Sequence, residues 1–203
     1  MYKRIHAKVF SYGSKRYNKV IHNEKLKLFY DISGKVLEIG PGTGINIQYY
    51  PSAIDYIGLE PNVALAEYLK KELDKKHFSK SQIINGDAEN IPIENTSIDV
   101  VVSTLTLCTI RNPERAVQEM KRVLKPGGTF LFMEHVAAHS GTFLHKIQHS
   151  IRGIWRLIGN GCNPDRETSV LIEQAGFEKV VMNRMNLPIF PIVSPHIIGK
   201  ATK

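Results

Sequence analysis

Three glycines at alternate positions, Gly40, Gly42 and Gly44, follow directly on the apolar run Val36-Leu37-Glu38-Ile39. Such a run reads as a strand buried within a parallel sheet. Lacking a Cβ, the glycines let the backbone turn sharply and pass close to a ligand. Dinucleotide loops use the same device but place a small residue three positions after the second glycine. Here Ile45 stands at that position, and the third glycine comes one residue early. The spacing is therefore E-x-G-x-G-x-G, with the acid inside the strand.

Further acids fall where an apolar run ends. Glu60 closes the run Tyr56-Ile57-Gly58-Leu59, 20 residues after Gly40. A carboxylate there can accept hydrogen bonds from both hydroxyls of a ribose, and it would repel a 2′-phosphate, which disfavours NADP. Its alternative is a helix-start acid before Pro61 and Asn62, favourable to the helix dipole. Asp87 and Ala88 follow the turn Asn85-Gly86, where an Asp can also simply cap the next segment. Glu38 lies in an apolar run, where a carboxylate is costly unless paired. Orienting the glycine loop is one reading, a surface-edge acid the other. His135 directly follows the apolar stretch 129–134 and is the first candidate for a general base. His139 is the second, and either imidazole can instead be satisfied by backbone. His196, in a terminal strand, reads as structural.

The elements that must position these groups alternate. Strands are expected over 35–39, 56–60, 82–84, 98–105 and 129–134, with two more over 180–182 and 196–200. Between them fall a short helix after Gly44 that stops before Pro51, and a helix capped by Asn62 with Ala66, Leu69 and Leu73 on one face. Another is capped by Asn112 with Pro113 in its first turn and ends at Lys125-Pro126-Gly127-Gly128. A basic amphipathic segment spans 142–158, and a last helix runs from a cap at Asp165 to Gly176. Val20, Ile21, Leu26 and Leu28 suggest a helix before the first strand, in a basic, aromatic segment with Tyr2, Phe10, Tyr12, Tyr17, Phe29 and Tyr30. Alternation of strand and helix implies a parallel sheet with right-handed crossovers, and two successive strands at the end imply an antiparallel hairpin. The expected fold is an α/β three-layer sandwich around a seven-stranded, mostly parallel sheet. One domain covers 1–203, with 1–33 as an N-terminal helical cap and 139–163 as an insertion that caps the substrate.

The 203 residues suit one domain, and a hydrophobic content of 42% suits a full core. The net charge is +8, from 27 basic and 19 acidic residues. The basic residues are dispersed, which favours a solubilising surface over a nucleic-acid face. Cys108 and Cys162 stand far apart, giving neither a disulfide framework nor metal-ligand spacing, so no metal is expected and a reducing, cytoplasmic setting is. No run of 18 apolar residues reads as a membrane span, and the first six residues lack the apolar core of a signal peptide.

Together these blocks resemble the class I S-adenosylmethionine (SAM) methyltransferases over essentially the whole chain. The resemblance implies SAM as cofactor and assigns the cofactor-binding set Glu38, Gly40, Gly42, Gly44, Glu60, Asp87, Ala88, Thr104 and Leu105. Glu60 would hold the ribose, and Asp87 would accept the adenine amino group with the Ala88 N–H facing the ring and Ile91 as an apolar wall. Glu38 would orient the loop or the methionine ammonium. Thr104 and Leu105 would flank the methionine moiety, with ordinary strand packing as their alternative. The second half narrows the likeness. Phe132-Met133-Glu134-His135-Val136-Ala137-Ala138, Gly161-Cys162-Asn163 with Arg166-Glu167, and Pro195-His196-Ile197-Ile198-Gly199 resemble the methyltransferase-like-7 group of alkyl thiol S-methyltransferases. Animal members of that group carry a hydrophobic N-terminal anchor, which is not read here.

That likeness implies a small-molecule methyl acceptor, a small apolar thiol. A sulfonium is intrinsically electrophilic, so alignment of the nucleophile and exclusion of water do most of the work. A thiolate needs little further help, whereas an oxygen or carbon acceptor would need His135 as base. Cys162 is otherwise a small buried hydrophobe, and Arg166 pairs locally or helps order that loop. Alternative activities are quinone-ring or phospholipid methylation, RNA methylation, and SAM binding without catalysis. Against nucleic acid, Ser103-Thr104-Leu105-Thr106 stands where an Asn-Pro-Pro-aromatic motif would be, and neither cysteine follows a proline. The apolar face of 142–158, from Phe143 through Ile147, Ile151 and Trp155 to Ile158, packs on the core, caps the pocket or lies on an anionic membrane surface. A monomer or weak homodimer is expected.

Overall fold

The computed structural model describes residues 17–203; Tyr2, Phe10, Tyr12 and the first half of the expected N-terminal cap lie outside the described residues. Seven strands form one sheet: β1 Lys35–Ile39, β2 Asp55–Leu59, β3 Lys80–Ile84, β4 Ile98–Thr104, β5 Leu124–His135, β6 Lys179–Asn186 and β7 Pro195–Thr202. Their order is β3-β2-β1-β4-β5-β7-β6, with β4 at the centre. The first five run parallel, and β7 is antiparallel to both β5 and β6. The order reverses between β1 and β4, so the crevice for a ligand opens at the carboxyl ends of those two strands.

Period-two alternation along β1 divides the core into two layers. Leu37 and Ile39 pack with Ala116, Val117 and Met120 of the helix Pro113–Val123 (α3) and with Ile172 of Thr168–Gln174 (α5). Val36 faces the other way, among Tyr50, Tyr56, Leu69 and Leu73. Each such fully buried aliphatic side chain contributes roughly 1.5–3 kcal/mol.

Helix α2, Val63–Lys76, is capped as expected: the Asn62 side chain accepts from the Ala64 N–H at 3.0 Å. Its buried seam is Leu65, Leu69 and Leu73, a strict i, i+4 row, while Ala66 is only half-buried. Asn112 caps α3 by accepting from Arg115 N–H, with Pro113 in the first turn. The Lys125-Pro126-Gly127-Gly128 stretch does not end that helix as a loop. It lies within β5, whose register to β4 shifts between Ile98 and Val100. The short helix after Gly44 is a single 3-10 turn, Ile47–Tyr49. Helix α1, His22–Leu28, precedes β1 as expected, but Val20 and Leu26 are exposed and the side buried against the sheet carries Ile21, Lys25 and Phe29.

One expectation fails in the last third, and one of the alternatives for the amphipathic segment gains little support. Asp165 does not cap α5; Glu167 occupies that position without a side-chain cap. The Asp165 carboxylate instead faces His149 at 3.2 Å and Arg152 at 3.6 Å, both on Phe143–Ile158 (α4). Helix α4 itself starts as read, with Thr142 accepting from His145 N–H. It does not pack broadly on the core. Leu144, Ile147, Ile151 and Trp155 form a half-buried seam, and Phe143, Ile154, Leu157 and Ile158 are exposed. The reason is the shape of its seat: a 3-10 turn, Pro191–Val193, and a short loop, rather than a sheet face. Its only fully buried residue, Gln148, donates to Ile192 C=O and accepts from Ala138 N–H, while Trp155 stacks on Phe190 at 5.6 Å.

Gly199 of β7 shows how closely the terminal hairpin is packed. A Cβ there would lie 2.2 Å from the Val181 carbonyl oxygen and 2.7 Å from Met182 Cα, both backbone atoms that cannot swing aside. Gly199→Ala should therefore destabilise the protein by about 1–3 kcal/mol, the usual scale of overpacking. A lowered urea midpoint with an unchanged slope is the expected result.

Candidate active site

The backbone from β1 into the glycine loop sits in the left-handed region at Gly40, Gly42 and Gly44, with φ of 59°, 59° and 78°. Gly40 donates to Leu59 C=O at 2.9 Å, and a Cβ on it would meet the Thr106 methyl at 2.6 Å. A Cβ on Gly44 would press on Leu69 at 3.0 Å. The protein's own packing thus demands two of the three glycines. Gly42 has a different tie: its N–H donates to Glu60 Oε2 at 2.9 Å. The other oxygen of Glu60 accepts from Asn62 N–H at 2.9 Å. Glu60 is nearly buried, and burial raises its pKa against the pull of these two donors. A carboxylate offers about four acceptor sites, so two remain open.

Glu38 is wholly buried, and each of its oxygens has a donor. Oε1 accepts from Asn46 Nδ2 at 2.6 Å and Oε2 from Tyr56 Oη at 2.7 Å. The same amide of Asn46 reaches Thr104 Oγ1 at 2.8 Å. Burial raises the pKa of Glu38, and the tyrosine and amide donors oppose that rise. Glu38 therefore ties the glycine loop to the end of β4 through Asn46, a residue the sequence reading did not single out. Leu105 follows with φ of 54° and donates its N–H to Met133 C=O. Positive φ in a branched, non-glycine residue is held by its surroundings and is common at ligand sites.

A cavity of about 300 Å³ lies here, lined by Gly40, Gly42, Thr104 and Leu105 together with Tyr17, Ile21 and Lys25. Glu60, Asp87 and Ala88 do not line it; they continue along the carboxyl ends of β2 and β3. Asp87 is exposed and accepts from Glu89 N–H, the local capping geometry, while Ala88 is buried. Ile91 is buried in the main core cluster, its N–H held by Glu119. Lys25 is a residue that sequence reasoning missed. Its ammonium is almost fully buried, donates to Asn18 Oδ1 at 2.9 Å and lies 5.6 Å above the Tyr49 ring. Burial lowers its pKa to about 8, with the nearby Glu38 carboxylate opposing. The available signal was its spacing, four residues from each of Ile21 and Phe29 in the buried row.

A second group of side chains gathers at the ends of β4 and β5. Glu134 is buried, and its Oε1 accepts from Ser103 Oγ, Thr106 N–H and Leu107 N–H. His135, also buried, faces Cys162, with Nε2 2.9 Å from Sγ, and Trp155 Nε1 reaches the same sulfur at 3.3 Å. Cys108 Sγ contacts Leu105 C=O at 3.6 Å. Ligand atoms of Cys108, His135 and Cys162 lie within 4.8 Å of one another, a proximity that the separation of the two cysteines along the chain did not suggest. Chain distance concealed it, because one crossover and the return of the loop after α4 bring residues 54 positions apart to one edge. The thiol of Cys108 pulls the pKa of Cys162 down, and its own is pushed well up by the same contact and by burial. Arg166 secures the loop below by donating to Leu107 and Ile110 carbonyls. His196, opposite His135 in register, contacts Ser194 C=O and Tyr17 Oη, and burial lowers its pKa to about 4. The side chain of His139 is exposed.

Comparison with known proteins agrees with this geometry. A family model described as a methyltransferase domain matches residues 37–132, the span from β1 to the core of β5. The human thiol S-methyltransferase TMT1A is 36% identical over 198 residues, covering 92% of this chain and 81% of the relative. Human TMT1B is 37% identical over 197 residues with the same coverage. Among solved structures, a SAM-dependent methyltransferase of Thermotoga maritima superposes with a TM-score of 0.67 at 23% identity, covering 96% of each chain, which is a likeness of fold. The carboxyl-edge cavity, the glycine loop with its acids and these relationships place the chain in the family of SAM-dependent methyltransferases to which TMT1A and TMT1B belong.

Proposed function

We propose that the chain methylates a small, apolar thiol. The observation that carries this reading is the identity of 36–37% to two thiol S-methyltransferases across 92% of the chain. Bound SAM supplies an electrophilic methyl group. Glu60, already fixed by Gly42 and Asn62, offers its remaining lone pairs to the ribose hydroxyls. Asp87 and the Ala88 N–H take the adenine edge. At the methionine end the Glu38–Asn46–Thr104 chain fixes the loop, and the Lys25 ammonium, which has no acidic partner within bonding distance among the described residues, suits a carboxylate. Leu105 and Ile21 give that end apolar walls and keep water out.

A thiol acceptor asks little of a base, since the ionised sulfur is itself the nucleophile. His135 is the candidate for assisting it, through its contact with Cys162. Residues 139–163, including α4, would cap the acceptor pocket. The exposed ridge Phe143, Ile154, Leu157 and Ile158, flanked by Lys146, Arg152 and Arg156, also supports peripheral contact with an anionic membrane. No described helix is long and apolar enough to cross a bilayer.

Glu60→Ala should weaken SAM binding, with each lost charge-assisted hydrogen bond contributing about 1.5–3 kcal/mol. Calorimetry on the folded variant reads this directly, and unchanged affinity removes Glu60 from the ribose role. Gly42→Val should abolish SAM binding while the fold survives, since a branched side chain suits neither φ of 59° nor the cavity wall. In a turnover screen across thiols, a quinol, phosphatidylethanolamine and RNA, thiols should be methylated, at a rate that rises with pH as they ionise. Turnover of the quinol or the lipid headgroup with no thiol turnover would sink the thiol reading while leaving the methyltransferase assignment intact.

A further inference from the structure

The cluster of Cys108, His135 and Cys162 is not used by any step of cofactor binding. Its donors come from three separate segments: the loop after β4, the end of β5 and the loop after α4. These segments are held together independently of any ligand. Asn163 donates both its backbone N–H and its side-chain amide to Cys108 C=O, at 2.9 and 3.0 Å, and Cys162 N–H donates to Gly159 C=O. All three donors are buried, and within the described residues they are the one group of His, Cys and acidic side chains that meets metal-ligand spacing. The Nδ1 atom of His135 is buried without a partner among the described residues.

We propose that Cys108, His135 and Cys162 bind a soft divalent metal ion, zinc by chemistry, and that its fourth position takes the acceptor sulfur; this last part rests on the thiol reading. Zinc at about 2.3 Å from sulfur and about 2.0 Å from nitrogen puts tetrahedral donors roughly 3.5–3.8 Å apart. All three present separations fall within 4.8 Å. The 2.9 Å contact between His135 and Cys162 opens by about half an ångström to admit the ion. Two thiolates and an imidazole select zinc over magnesium or calcium, which require oxygen donors. Three protein ligands with one open position are the arrangement of catalytic rather than structural zinc.

Placement favours the role. Cys108 touches the carbonyl of Leu105, and Leu105 lines the cofactor cavity, so the cluster stands one residue behind the wall where the methyl group would arrive. The acceptor thiol loses its proton to water as its sulfur takes the open position. An electron pair of that sulfur forms the new S–C bond while the methyl–sulfonium bond of the cofactor breaks, its pair staying on S-adenosylhomocysteine. The thioether formed is uncharged, a weaker ligand, and departs. His135 is then a ligand rather than a free base.

The test uses the full chain purified under reducing conditions without chelator. Elemental analysis should find on the order of one zinc per chain, and cobalt substitution should give thiolate-to-cobalt charge-transfer absorption. Cys108→Ser and Cys162→Ser should each lower zinc affinity by about 10-fold or more and lose that absorption, while calorimetry shows SAM still bound, which certifies the fold. No stoichiometric zinc or cobalt in the parent chain, or full retention in both cysteine variants, overturns the site. So does formation of a Cys108–Cys162 disulfide under mild oxidant that added zinc fails to prevent. Chelation should cut thiol turnover by about 10–100-fold, restored by zinc. Full turnover by the stripped chain overturns the metal's role yet upholds thiol methylation. Bound zinc with no thiol methylated keeps the site and removes the thiol reading.

Discussion

A carboxylate with no exposed surface must be matched by donors, and Glu38 sets that demand in the middle of β1. Tyr56 on β2 supplies one donor and Asn46 in the glycine loop the other. Because the Asn46 amide also reaches Thr104, the neighbouring strands β2 and β4 are linked to the loop through a single buried charge. The second acid, Glu60, completes the frame from the other side by gripping Gly42. The loop is thus fixed in shape by the chain's own contacts. The glycines follow from this: the left-handed turns are what bring Gly42 N–H and Asn46 to their acids.

The carboxyl edge of the sheet carries two chemically distinct neighbourhoods. Around β1 and β2 the groups are carboxylates, amides and backbone donors, suited to a polar cofactor. At the ends of β4 and β5 they are sulfur and imidazole, buried against Trp155 and anchored by Arg166. Leu105, strained and apolar, stands between the two. The N-terminal segment closes the first neighbourhood from above with Tyr17, Ile21 and Lys25. Tyr17 also reaches His196, which is packed edge-on to His135 at 6.2 Å, so the cover over the cavity is in contact with both regions.

Helix α4 shows what amphipathic periodicity alone can and cannot say. Its apolar residues cover more of the helix surface than one seam can bury. The seat offered by the turn Pro191–Val193 accepts Leu144, Ile147, Ile151 and Trp155 and leaves the next row in solvent. Few buried contacts and one glutamine clasp mean that this element opens at low cost compared with the sheet.

The local grammar of the chain was legible from its residues. The strand-to-glycine transition, the caps at Asn62 and Asn112, the start of the amphipathic segment at Thr142, the alternation of strands with helices and the final hairpin all depend on neighbours within a few positions, and all are read from the sequence. The family followed from the order of those blocks. Misread were features whose partners lie far along the chain. Asp165 looked like a cap, but the nearby His149 and Arg152 of α4 claim it. Lys25 was not singled out, yet it lies in the buried row of α1. Cys108 and Cys162 gave no spacing to recognise, because their meeting point is set by the crossover from β4 through α3 to β5 and by the return of the loop after α4. Periodicity and capping are short-range properties that sequence carries directly. Which charge is buried, which sulfur meets which imidazole, and which apolar face finds a partner are decided only when sheet order brings distant segments to one edge.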